Sequence, residues 1–140
     1  MEKYQNKSYN GLSFDALKQF LDAKVKQYNT NEFIESDPIQ IPHLFSKKED
    51  IEISAFLTAT IAWGNRKSII QNAKRLMQRM DNAPYDFICS HQSNDLNVFE
   101  GFVHRTFNAH DAVQFIKSLK HIYTTYGGME SVFSKYAEKT

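Results

Sequence analysis

The chain has 140 residues, 41% of them hydrophobic and 14% aromatic, with a formal net charge of +1 at pH 7. That size and apolar content suit one folded domain and argue against disorder. A lone cysteine, Cys89, excludes an internal disulfide framework and points to a reducing, cytoplasmic compartment. No stretch approaches the ~20 apolar residues of a membrane-spanning helix, and the start MEKYQNKSYNG lacks a signal-peptide core, so no membrane partner is expected.

Taken in chain order, Ser13 precedes FDALKQFLDAKVKQYN, in which Phe14, Leu17, Leu21 and Tyr28 recur at helical spacing. This predicts a capped amphipathic helix over 14–28. The following TNEFIESDPIQIPHLF reads as a crossing segment, because Pro38 and Pro42 push their preceding residues toward extended geometry. Ile34, Ile39, Ile41, Leu44 and Phe45 are its expected anchors. Ser46 with Glu49 forms a capping-box pattern before DIEISAFLTATIAW, which predicts a central helix from about Lys47 that is apolar around most of its circumference.

Gly64 then interrupts helical continuity beside Trp63, the only tryptophan. Asn65 can cap a second helix with an apolar stripe of Ile69, Ile70, Ala73, Leu76, Met77 and Met80. Its other face carries Arg66, Lys67, Lys74, Arg75 and Arg79 without an acidic residue. Pro84 opens a short helix through YDFICSH, and QSNDLN reads as a polar loop. Asn108 and Asp111 can cap a longer helix ended by Gly127 and Gly128, and Met129, Val132, Phe133 and Tyr136 space as a final helix face. No period-2 strand pattern stands out, so the expected fold class is all-α, a single helical domain of five to seven helices over 1–140. The last helix meets Thr140 without a stop signal, and the chain is read as the amino-terminal part of something longer.

Three constellations could carry chemistry. At the WGNRK turn an indole could stack or wedge, while Asn65, Arg66 and Lys67 open a helix N-terminus that favours phosphate, with Lys74 and Arg75 behind them. The competing reading makes Trp63 the last core residue and the basic face merely solvated, and the exposure of Trp63 discriminates the two. At HRTFNAHD, His104, Arg105, Thr106 and Asn108 crowd another helix start; a phosphate site there competes with simple capping by Asn108. Asp37, His43, Asp50 and Glu52 could hold a metal or move protons, yet their spacing matches no ligand motif. Cys89 and His91 alone do not close a zinc site. P-loop, G-x-S-x-G, H-E-x-x-H and G-x-G-x-x-G motifs are absent, so neither cofactor nor metal is expected.

The blocks DPIQIPHLF, AWGNRK, HRTF and YGGMESVF resemble an uncharacterised bacterial family of conserved hypothetical proteins whose members are longer. The second half of that family holds a segment that resembles the helix-hairpin-helix DNA glycosylases of the endonuclease III kind. By helix, break and helix, FLTATIAWGNRKSIIQNAKRL is similar to the glycosylase element that plugs the gap left by a flipped base, with Trp63 near the plugging position. The resemblance therefore implies part of a glycosylase-like helical fold and DNA as a partner. It carries no catalytic residue onto this chain, because no L-P-G-V-G hairpin occurs and the catalytic Lys and Asp would lie beyond Thr140; these 140 residues alone are expected to be inactive as a glycosylase. The expected function is DNA binding, through Trp63, Asn65, Arg66, Lys67, Lys74, Arg75, His104, Arg105 and Asn108. The alternative is a helical interaction module, docking a second copy or a missing C-terminal half.

Overall fold

The computed structural model describes residues 11–135 and Ala137; Tyr136 and the residues quoted from the first ten positions lie outside the described residues. The fold is all-α, and the chain divides into two compact units, Met1–Ser36 and Asp37–Thr140.

In the first unit, helix α1 spans Phe14–Tyr28, and the Ser13 side chain accepts from Ala16 N at 3.2 Å. The predicted cap and bounds match. The segment after it departs from expectation, since Asn31–Ser36 forms helix α2. Thr30 Oγ1 accepts from Phe33 N at 3.3 Å, and the Tyr28 and Phe33 rings meet edge to face at 5.7 Å. A local hydroxyl cap and one aromatic pair thus make a helix where spacing alone suggested none.

In the second unit, two 3-10 turns, Pro38–Gln40 and Pro42–Leu44, replace the expected extended crossing. Asp37 is extended before Pro38, but Ile41 is helical before Pro42. Its N–H donates to the Pro38 carbonyl, and its side chain is fully buried, so core burial outweighs the preference imposed by the following proline. Of the expected anchors, Ile41 is in the core, Phe45 packs partly against it, and Ile39 and Leu44 are exposed. Helix α3, Lys48–Thr60, starts after Lys47 with no side-chain cap, so the Ser46–Glu49 capping box does not form. It packs against both 3-10 turns, α4 and α5, which explains its broadly apolar surface. Only Ile53, Ser54, Leu57 and Thr58 of it are buried, while Ile51 and Ala59 stay exposed.

Helix α4, Arg66–Arg79, buries Ile69, Ala73, Leu76 and Met77, with Met80 following, as its predicted stripe requires. Helix α5, Pro84–Ser90, has proline in its first turn as expected. The expected polar loop is instead a 3-10 helix, Ser93–Phe99, started by Asp95 Oδ2 accepting from Gln92 N at 2.7 Å and anchored by buried Leu96 and Phe99. Three-residue spacing of the two anchors suits that tighter helix. A two-stranded antiparallel hairpin follows, β1 (Val103–His104) with β2 (Phe107–Asn108), in register Val103↔Asn108 and His104↔Phe107. Helix α6, Ala109–Tyr126, ends at Gly127 in left-handed geometry, and α7 covers Met129–Ser134. Phe99, Phe102, Ile116 and Leu119 fill the centre of the core.

Asn108 Oδ1 accepts from His110 N at 2.8 Å, and Asp111 Oδ2 accepts in return from Asn108 N at 2.9 Å. Asn108→Ala is expected to cost about 1 kcal/mol of stability, read as a lower denaturation midpoint in urea.

Candidate nucleic-acid interface

The break between α3 and α4 is a built corner. Gly64 stands at φ +104°, a value L side chains rarely adopt, and a Cβ there would lie 2.7 Å from the Arg105 Cζ. Glycine therefore serves twice, turning the chain and letting the Arg105 guanidinium lie across the turn. Arg105 itself sits at φ +55° at the tip of the hairpin, which folds it back toward residue 64. Asn65 Oδ1 accepts from Ser68 N at 3.3 Å and starts α4 as predicted.

Beside this corner the imidazole of His104 is 3% exposed and meets the Trp63 indole edge to face at 5.4 Å. Its Nε2 lies 3.3 Å from the Trp63 carbonyl oxygen, and its Nδ1 lies 3.0 Å from Asn72 Nδ2 on α4. Arg75 Nη1 donates to Asn72 Oδ1 at 3.2 Å. That donation fixes the orientation of the amide, so Nδ2 donates to His104 Nδ1 and the ring proton sits on Nε2, where it donates to the carbonyl. Trp63 is 38% exposed. Its indole is neither a core residue nor a free paddle, but is seated on His104 with the remainder open to solvent.

The basic residues take different positions. Arg66 lies 3.7 Å from the Asp37 carboxylate. Arg79 turns away, donating to the carbonyls of Val98 and Glu100 and covering the Phe102 ring, and so fastens the 3-10 helix rather than joining the basic face. Lys67, Lys74, Arg75 and Arg105 are exposed, and among the described residues none of them has a carboxylate partner. Along the outer side of α4, Ser68, Gln71, Asn72, Lys74, Arg75 and Gln78 line an open depression of about 450 Å³.

The structure thus gathers Trp63, Gly64, Arg75, His104 and Arg105 around one corner, although 41 residues separate Trp63 from His104. Asn108 serves as the α6 cap, so its oxygen is already used on helix N–H groups. Asn72 was not legible as part of this site. Its only signal is an amide placed between the apolar stripe of α4 and Arg75, three residues on.

The acidic constellation does not assemble. Asp37 Oδ1 accepts from Ile39 N at 3.0 Å and starts a 3-10 turn, and His43 is exposed. Asp50 Oδ1 accepts from Tyr85 N at 2.8 Å at the start of α5, and Glu52 Oε2 accepts from the Tyr123 hydroxyl at 2.8 Å. Burial first, and the Glu52 carboxylate second, push the Tyr123 phenol well above its ordinary value. These acids tie α3 to its neighbours. His91 is buried and stacked on Phe87, and half-buried Cys89 lies beside Tyr85, whose phenol is held above its ordinary value first by negative charge at the Cys89 sulfur and then by their hydrogen bond. Among the described residues no group of three or more His, Cys, Asp or Glu could hold a metal, and no helix is long and apolar enough to cross a membrane.

Fold and corner together define an all-α protein with a one-sidedly basic helix joined to a half-exposed tryptophan. The chain belongs to the family described as a protein of unknown function (DUF2400), whose model matches residues 37–140. No curated protein and no solved structure matches the chain.

Proposed function

We propose that this protein binds duplex DNA along its phosphate backbone through α4, with Trp63 presented beside the contact. The observation that carries this reading is the cluster of Lys67, Lys74 and Arg75. They share one face of a 14-residue helix with no acidic residue, next to a 38% exposed indole. Cations without carboxylate partners are the groups that exchange counterions for phosphates. Arg105 and Lys67 flank the corner, so positive charge continues past the helix start. The likeness of helix, break and helix to the base-flipping element of helix-hairpin-helix glycosylases adds support for DNA and for Trp63 as a wedge. No residue of this chain is assigned a catalytic role.

Titration of a labelled duplex tests the reading. Three or four phosphate contacts give a log–log salt slope of about −3 to −4. No binding at ~50 mM salt would overturn it. Tighter binding to an abasic or mismatched duplex than to a matched one would support the wedge, because the base there is already unpaired.

A second reading rests on the first unit. Helix α1 has no buried residue and leaves Phe14, Phe20, Leu21, Val25 and Tyr28 exposed. Such a face is a contact surface for a second copy or another helical partner. Light scattering across a concentration series would show association if it is so used, and a constant monomer mass would exclude self-association.

A further inference from the structure

We propose that Asn72 and His104 are positioning residues that lock the Trp63 turn to α4, so that the indole and the Arg75 guanidinium are presented as one surface. The claim that this surface meets a nucleic acid rests on the function proposed above; the lock itself does not.

Three separate segments meet in the lock: the corner at 61–65, α4 and the hairpin. Its hydrogen bonds run in one direction. Arg75 donates to Asn72 Oδ1, Asn72 Nδ2 donates to His104 Nδ1, and His104 Nε2 donates to the Trp63 carbonyl. Each link depends on the one before it. Reversing the amide would set its oxygen against Nδ1 and its NH2 against the guanidinium, so both neighbours would lose their partners. Turning the ring proton onto Nδ1 would leave the Trp63 carbonyl without a donor. Because His104 is 3% exposed, water cannot readily replace either contact, and a chain of bonds in such a setting is mutually reinforcing. The same ring carries the indole edge at 5.4 Å, so the orientation of His104 sets that of Trp63. One residue along, Arg105 lies across Gly64 and braces the corner from its outer side.

This arrangement explains an amide at position 72, on a face otherwise given to cations and exposed glutamines. A lysine or arginine there would offer only donors and could not accept from Arg75. A carboxylate would accept from Arg75 but could not donate to the imidazole. The amide of Asn72 does both.

The test uses the full chain and needs no nucleic acid for its first arm. Nitrogen-15 NMR of His104 is expected to show Nε2 protonated and Nδ1 bare; the opposite tautomer overturns the proposal. In Asn72→Asp, which offers Nδ1 an acceptor while still engaging Arg75, Nδ1 is expected to gain a proton, and an unchanged ring overturns it. Trp63, as the only tryptophan, reports its own surroundings. Its emission is expected to shift to the red in Asn72→Ala, in which His104 loses its hydrogen bond to α4, with an unchanged far-ultraviolet circular dichroism spectrum. Emission identical to the native protein overturns the lock. Should that variant fail to fold, Arg75→Ala, exposed and away from the core, is expected to loosen the amide and shift the same emission weakly; no shift in it counts against the lock.

In the DNA arm, Asn72→Ala is expected to weaken duplex binding about two- to tenfold. Native protein that shows the expected tautomer and emission but binds no duplex leaves the lock standing and removes only the proposed function. Native protein that binds duplex with the wrong tautomer removes only the lock.

Discussion

Replacing Lys67, Lys74 and Arg75 together with alanine is expected to weaken duplex binding about 100-fold at ~50 mM salt and to make the salt slope shallower by about three. All three side chains are exposed and lack a carboxylate partner among the described residues, and the Arg75–Asn72 hydrogen bond lost with them is itself exposed, so their removal loosens the Asn72 amide but costs the fold little. The denaturation midpoint is therefore expected to stay near that of the native protein. Arg66→Ala serves as the contrast. With Asp37 already 3.7 Å from its guanidinium, Arg66 has less uncompensated charge to offer a phosphate, and its loss is expected to cost less than that of Lys67. Equal binding by the triple variant and the native protein, measured by fluorescence anisotropy over a salt series, would remove α4 as the interface.

His104→Ala should have the largest effect on stability, about 2–4 kcal/mol, measured by urea unfolding. The ring is almost wholly buried, accepts one hydrogen bond, donates another and supports the indole. Alanine leaves a cavity and strands the Trp63 carbonyl and the Asn72 amide together. A loss under about 1 kcal/mol would mean that water or a neighbouring side chain takes over those contacts. Trp63 emission should move to the red in the same variant, which separates loss of the local seat from general destabilisation.

Much of the helical layout was legible in the residues because its signals are local. Ser13, Asn65 and Asn108 each accept from an N–H two or three positions along, and such caps need no distant partner. The apolar stripe of α4 was equally plain, since residues three and four apart share a face. Local rules fail at particular places in the chain. Ser46 and Glu49 have the form of a capping box, yet α3 begins after Lys47 without a side-chain cap. Ile41 ignores the proline after it because its side chain reaches the core. QSNDLN looked like a loop because 3-10 spacing over seven residues leaves too short a pattern to separate from irregular chain. The hairpin at 103–108 leaves no pattern in the sequence for a similar reason, as two residues per strand cannot display alternation.

The candidate site divides in the same manner. The one-sided charge of α4, the glycine break and the lone tryptophan follow from residue order alone, because helical periodicity maps sequence onto faces. Which charges remain available was decided by tertiary structure. It turned Arg79 onto the carbonyls of Val98 and Glu100, set Asp37 against Arg66, and brought His104 and Arg105 from a distant hairpin onto the corner. Trp63 shows the boundary most clearly. Its place at a helix break is written in the chain, whereas its half-exposed seat on His104 exists only in the folded protein, which brings the hairpin to the corner across 41 residues. Spacing reports neighbours along a helix, but it carries no information about which side chain another segment will bring to meet them.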